Sequence, residues 1–221
     1  MKRTTLVLAA TFAAVLLSAG CASEPVRPSS AIQEASASDG PFRTETIDGV
    51  GGVMLEGHDA TAYFTRGEAV RGSTRHSLQH KGVTWLFASA DAKALFERDP
   101  SRYMPQFGGY CANGINYAIP WGGGGGPNTW RIYRGKLYVF GGQRSRDDFE
   151  MDTQRNLELA HYYWNSELAG SHAVIKRYQR LVMRVPHYKS GAALKSEWEG
   201  KRAAGTLPVM PGQPQVVPAT H

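Results

Sequence analysis

The sequence predicts an α+β fold, on three observations. A short aromatic and β-branched run, GVTWLF at 82–87, leads directly into a segment with a helical cap and helical spacing. The stretch 130–140, WRIYRGKLYVF, alternates apolar residues about a central turn. A third segment, 152–170, repeats apolar residues at helical intervals. Short strands mixed with short helices, and no internal repeat, describe one small domain of mixed type.

The chain opens with Lys2-Arg3, runs apolar from Leu6 to Leu17 and closes with Ser18-Ala19-Gly20-Cys21. Two cations, a 12-residue apolar run and small residues before a cut are the three regions of a secretory signal, here 1–20. A spanning helix needs about 20 apolar residues, so this run is too short to remain as one. Leu17 to Cys21 also resembles the bacterial lipobox, with Ser18 where leucine is more usual. That resemblance implies acylation of Cys21 as the first mature residue; simple cleavage near Ala22 is the plainer alternative. Ala22 in place of aspartate further implies the periplasmic face of the outer membrane rather than the inner membrane. Residues 21–41 are rich in Ala, Ser and Pro, cannot bury enough apolar surface to offset their ordering entropy, and read as a lipidated flexible tether.

Residues 42–168 remain for the main domain. After the strand at 82–87, Ser89 is placed to cap a helix running to Asp99, and Asp99-Pro100 opens a further turn with proline at its first position. Trp130, Ile132, Leu137 and Val139 form the alternating face of a hairpin around Arg134-Gly135. Asp147 and Asp148 read as acids at a helix start, near the positive end of its dipole. Leu157, Ala160, Trp164 and Leu168 mark the helix at 152–170, closed by Gly170.

Residues 169–202 form a basic helical extension, and 203–221, with four prolines and no periodicity, a disordered tail. The formal charge of +6 falls to +4 once Lys2 and Arg3 leave with the leader. Between Ser171 and Thr206 eight Lys/Arg oppose two Glu, so the asymmetry lies in the extension. There Val174, Tyr178, Leu181, Val182 and Val185 make an apolar stripe and Lys176, Arg180 and Arg184 a basic one. A helix docked on the core with a solvated charged side is one reading; contact with anionic lipid, lipopolysaccharide or an acidic envelope partner is the other. Nucleic acid is not expected, because no base-reading motif occurs and an exported chain rarely meets it.

The segment GHDATAYFTRGEAVRGSTRHSLQHKGVTWLFASADAKALFERDPSRYMPQFGGYCANGI, at 57–115, resembles the YHS domain, and more narrowly its exported bacterial branch. Asp59, Ala62, Tyr63, Phe64, Gly82, Phe87, Ser89, Phe96, Pro100, Tyr103, Pro105, Gly108, Gly109, Tyr110 and Cys111 fall in step with that pattern. The correspondence continues through Trp130, Gly135, Lys136, Leu137 and Tyr138 and covers roughly residues 50–165. It implies a small treble-clef-like module with an appended C-terminal helix. Metal-associated members carry three cysteines at positions that fall here on Ala62, Ala88 and Ala92. Alanine offers no lone pair, while zinc or copper(I) needs three or four sulfur or nitrogen ligands. The inherited metal site is therefore expected to be lost.

Cys111 is the one cysteine of the chain beyond Cys21. Three readings are open: a small buried apolar residue under Tyr110; a soft ligand for a copper-like ion or small molecule, with Tyr110, His76 and His80 about it; or a redox thiol needing a nearby base. His76 and His80, four apart in a strand-like context, share one sheet face. Nothing in the sequence places His58 or His161 beside the sulfur, so no triad is expected, and His58 stands where the family pattern has tyrosine. The GGGGGP run at 122–127 lacks the Lys-Ser/Thr of a phosphate loop and reads as a plain loop. Tyr103, Phe107, Tyr110, Tyr117, Trp121 and Trp130 read as core or as pocket lining. The expectation is an envelope-anchored, non-enzymatic binding module, with an interaction protein acting through its basic helix as the first alternative and a thiol redox protein as the second.

Overall fold

The structure, a computed structural model, describes residues 40–117, 126–169, 173–183 and 189–207. The leader, Cys21, most of the tether, residues 122–125 of the glycine run, Trp121, Gly170, Arg184 and the tail from residue 208 lie outside the described residues, as do the side chains of Tyr117, Val174, Lys176 and Leu181. The mixed α+β class holds. Strands β1 (Thr44–Ile47), β2 (Val50–Met54), β3 (Ser73–His80) and β4 (Val83–Phe87) form one sheet in the order β1-β2-β4-β3. β1 with β2 and β3 with β4 are antiparallel pairs, and β2 runs parallel to β4 with Val53 opposite Thr84. A second sheet is the hairpin β5 (Trp130–Tyr133) and β6 (Lys136–Val139), turning at Arg134-Gly135.

Every residue of β4 is buried, in keeping with its β-branched and aromatic sequence, and its one polar side chain, Thr84, is hydrogen-bonded to Gln79 and the Gly51 carbonyl. At Gly72 the chain passes so close to β4 that a Cβ there would lie 2.5 Å from the Leu86 carbonyl carbon. The strand hands over to α2 (Ala90–Arg98), whose first turn is capped by Ser89 Oγ accepting from the Ala92 amide at 3.1 Å. Such a cap is worth about 1 kcal/mol. Asp99 then caps α3 (Pro100–Tyr103), with proline at its first turn. A single turn, α1 (Ala62–Thr65), precedes β3.

The hairpin lies between two aromatic cores, with one face on each. Trp130, Leu137 and Val139, with Ile132 beside them, pack with Trp85, Phe87 and Phe96 of the sheet and α2. Tyr133 and Tyr138 point the other way, into a core with Phe107, Phe149, Leu157 and Trp164. That second core is built by α4 (Ala112–Tyr117), α5 (Gln143–Glu150) and α6 (Thr153–Tyr163), which continues as a π-helical turn over Trp164–Leu168. The alternation of Trp130, Ile132, Leu137 and Val139 marks one face of the hairpin in the sequence; the other is hidden because tyrosine passes for a surface residue.

Three expectations are corrected here. Asp147 and Asp148 sit late in α5, not at a helix start, and Asp148 pairs with Arg144 one turn earlier at 2.7 Å. The extension is two helices, α7 (Ala173–Met183) and α8 (Gly191–Ala203), and α8 buries Leu194 against Met151. The ordered chain runs on past residue 203, the Thr206 amide donating to the Lys201 carbonyl at 2.9 Å and Leu207 packing beside Leu194.

Candidate functional site

Ala62, Ala88 and Ala92 come from three pieces of chain: the start of α1, the residue after β4 and the first turn of α2. They nevertheless line one open pocket of about 320 Å³, together with Asp59, Leu95 and Arg98. Asp59 is the group that brings them together. It is only 1 % exposed, and its Oδ1 accepts from the Thr61 amide at 2.8 Å and the Thr61 hydroxyl at 2.7 Å. Its Oδ2 accepts from the Ala88 amide at 2.9 Å. One carboxylate thus closes the turn that starts α1 and ties it to the end of β4. An Asp-x-Thr turn signature at 59–61 was visible in the sequence; its second tie, 29 residues away, was not.

The donor set does not fit a thiophilic ion. Three methyl groups wall the pocket, the Asp59 carboxylate already accepts three hydrogen bonds, and the other side-chain oxygens of the lining are the Asp91 carboxylate and the hydroxyls of Thr61, Thr65 and Ser89, with no sulfur or imidazole among them. Among the described residues no group of three or more His, Cys, Asp or Glu side chains is placed to hold a metal ion. The aliphatic groups of Ala62, Ala88, Ala92 and Leu95 share the lining with the charged side chains of Arg66, Asp91 and Arg98.

The Gly109-Tyr110-Cys111 segment is a packing corner. Phe107 and Gly108 adopt left-handed conformations with φ of 57° each, and a Cβ on Gly108 would lie 2.0 Å from the Pro41 carbonyl oxygen. Residues 105–111 then run beside β6, bridging at Pro105 to Leu137 and at Cys111 to Val139. The Tyr110 hydroxyl donates to the Phe42 carbonyl at 3.3 Å, fastening the N-terminal end of the domain. Cys111 is 7 % exposed in the core of α4–α6, with its sulfur 3.1 Å from Ser145 Oγ. This is the geometry of the small buried residue among the three readings of the thiol.

The expected companions are not gathered there. His76 and His80 lie on β3, at the edge of the four-stranded sheet, and the His80 ring meets Phe96 of the other core at 5.8 Å. Burial, with Lys81 adding to it, pulls the His80 pKa below the usual histidine value. Tyr110 and Cys111 therefore belong to one core and the two histidines to the flank of the other. His58 bridges to Arg71 and has Nδ1 3.0 Å from the Leu55 carbonyl, while burial lowers its pKa. His161 is buried with Nε2 2.8 Å from the Tyr138 hydroxyl and its ring against Phe107.

The basic stripe is corrected at Arg180. That side chain is 6 % exposed: Nη1 donates to the Ile115 carbonyl at 2.6 Å, Nε to Glu167 at 3.2 Å, and the guanidinium lies over the Tyr163 ring. It clamps α7 to the body instead of facing a membrane or partner. Two residues of the supposed core stripe, Tyr178 and Val182, are exposed. Burial lowers the Arg180 pKa against the opposing pull of Glu167, and the group stays charged.

Comparison with known proteins finds no family model, no curated protein and no solved structure that matches this chain.

Proposed function

We propose that the chain is a lipid-tethered, non-enzymatic binding module of the YHS type, with a treble-clef-like frame, held at the periplasmic face of the outer membrane. In it, the pocket walled by Ala62, Ala88 and Ala92 takes a small organic ligand where related modules hold a metal ion. One observation carries this reading. Three positions chosen from a sequence resemblance alone, 26 and 4 residues apart, converge on one cavity about one buried carboxylate. Ala88 and Ala92 meet across the first turn of α2, and Ala62, 26 residues earlier in the chain, is the one brought to them by the long-range tie through Asp59. Cys111, buried beside Ser145, supports the frame and is not the ligand-binding group.

Native mass spectrometry of the chain released from envelopes tests this directly, comparing wild type with Ala88→Trp. Ala88 is exposed at the pocket mouth, so the indole fills the opening without entering either core. A small molecule carried by wild type and lost in the variant, at unchanged thermal stability, is the expected result. Wild type without any adduct, or with a stoichiometric metal ion, contradicts the proposal.

A further inference from the structure

The large hydrophobic side chains exposed among the described residues are Tyr162, Ile175, Tyr178, Val182 and Met183. Four of the five stand on α7, at spacings of three, four and one that keep them on one side of the helix. Val182 and Met183 are 81 % and 79 % exposed, far more than a core-docked stripe permits. The cause is Arg180. Its buried guanidinium fixes which side of α7 meets the body, and the apolar side is left facing outward. The segment that carries this face is cationic in sequence, with seven Lys/Arg besides the buried Arg180 against two Glu between Ser171 and Thr206.

We infer that the outward face of α7 docks on an anionic lipid surface, Ile175, Tyr178, Val182 and Met183 entering the interface and the neighbouring cations meeting headgroups. An apolar face flanked by Lys and Arg is the pattern of a helix that lies in the plane of an interface. No helix among the described residues is long and apolar enough to cross a membrane, so contact is at the surface. The occupant follows from the tether. Twenty residues separate Cys21 from Phe42, and a flexible segment of that length has a root-mean-square reach of about 25 Å. A bilayer holding Cys21 is then the partner at the highest effective concentration. Tyr110 joins the two ends: its hydroxyl holds the Phe42 carbonyl where the tether meets the domain, and its ring stands 6.3 Å from Trp164, in the turn on which α7 rests. This inference rests on the lipid-anchor part of the proposed function and deepens it.

The test uses the full chain with Cys21→Ala, so that no acyl group contributes, and a nitroxide on Val182→Cys. Cys111 is buried and escapes the label. With vesicles of about one-third phosphatidylglycerol, the label is expected to become accessible to oxygen and shielded from a polar nickel reagent. A label on Ser101→Cys, exposed on α3, is expected to stay aqueous. Adding Ile175→Asp should weaken vesicle binding about ten-fold, and phosphatidylcholine vesicles should bind less than anionic ones. A nitroxide at 182 that stays aqueous on bound vesicles overturns the inference. So does a concentration-dependent dimer abolished by Ile175→Asp, which assigns the face to a second copy. The mass of wild-type Cys21, acylated or not, reports separately on the anchor.

Discussion

Asp59→Asn separates an organising carboxylate from an incidental one. The carboxylate accepts three short hydrogen bonds at 2.7, 2.8 and 2.9 Å while almost wholly removed from water. Asparagine keeps one carbonyl oxygen, so the two bonds from Thr61 are retained in one amide orientation. The amide nitrogen then faces the Ala88 N–H, donor against donor. A lost bond to a charged acceptor costs about 1.5–3 kcal/mol, and the orphaned amide makes the upper half of that range the expectation, about 2–3 kcal/mol. Thr61→Val removes a single hydroxyl donor and should cost about 1 kcal/mol. Urea unfolding at neutral pH measures both, with an unchanged m-value confirming that the same structure is being melted. Because the two residues share one carboxylate, their double variant should lose less than the sum of the single losses. Asp59→Asn within about 0.5 kcal/mol of wild type would refute the role given to the carboxylate.

Arg180→Met removes a buried charge from Glu167 and a donor from the Ile115 carbonyl; Glu167 is partly solvated, so a loss of about 2–4 kcal/mol is expected, with faster hydrogen exchange throughout α7. Gly108→Ala must accept a φ of 57° and a Cβ 2.0 Å from the Pro41 oxygen, and should cost at least about 2 kcal/mol in thermal or urea melts. His58 is held neutral by burial despite its bond to the Leu55 carbonyl and the nearby Glu56, with Arg71 reinforcing the neutral form. Its folded pKa lies below that of the unfolded chain, so its contribution is intact above pH 6.5 and is lost as pH falls below that value. Stability measured from pH 7 to 5 should therefore fall less steeply in His58→Gln than in wild type.

What the sequence disclosed follows from how local each signal is. The strand at 82–87, the Ser89 cap, the Asp99-Pro100 turn and the Arg134-Gly135 hairpin are set by neighbours a few residues apart, and each stands where local rules place it. The parallel pairing of β2 with β4 joins Val53 to Thr84 across the whole of β3, and no local pattern encodes it. Arg180 looked like a surface cation because its partners lie 13 and 65 residues away. Burying it reversed the helix, and with it the face presented to solvent. Asp148 misled for a different reason: its partner Arg144 is only four residues away, but a carboxylate in an Arg-rich stretch looks identical whether it caps a helix or pairs within one. For the site, the alignment on Asp59 and Phe87 named three alanines that line one pocket, whereas Cys111 and the histidines, linked only by chemical type, fell in different cores.

Placing sulfurs at the three alanine positions tests the central claim most directly. The full chain carrying Ala62→Cys, Ala88→Cys and Ala92→Cys together, kept reduced and titrated with cobalt(II), should bind one ion per chain, with thiolate charge-transfer bands and the intense visible bands of a tetrahedral site. Wild type and each single variant should show neither, and zinc should displace the cobalt and raise the melting temperature of the triple variant alone. A folded triple variant whose cobalt spectrum stays that of the hydrated ion would contradict the account, because these three positions would then not be the corners of an abandoned metal site.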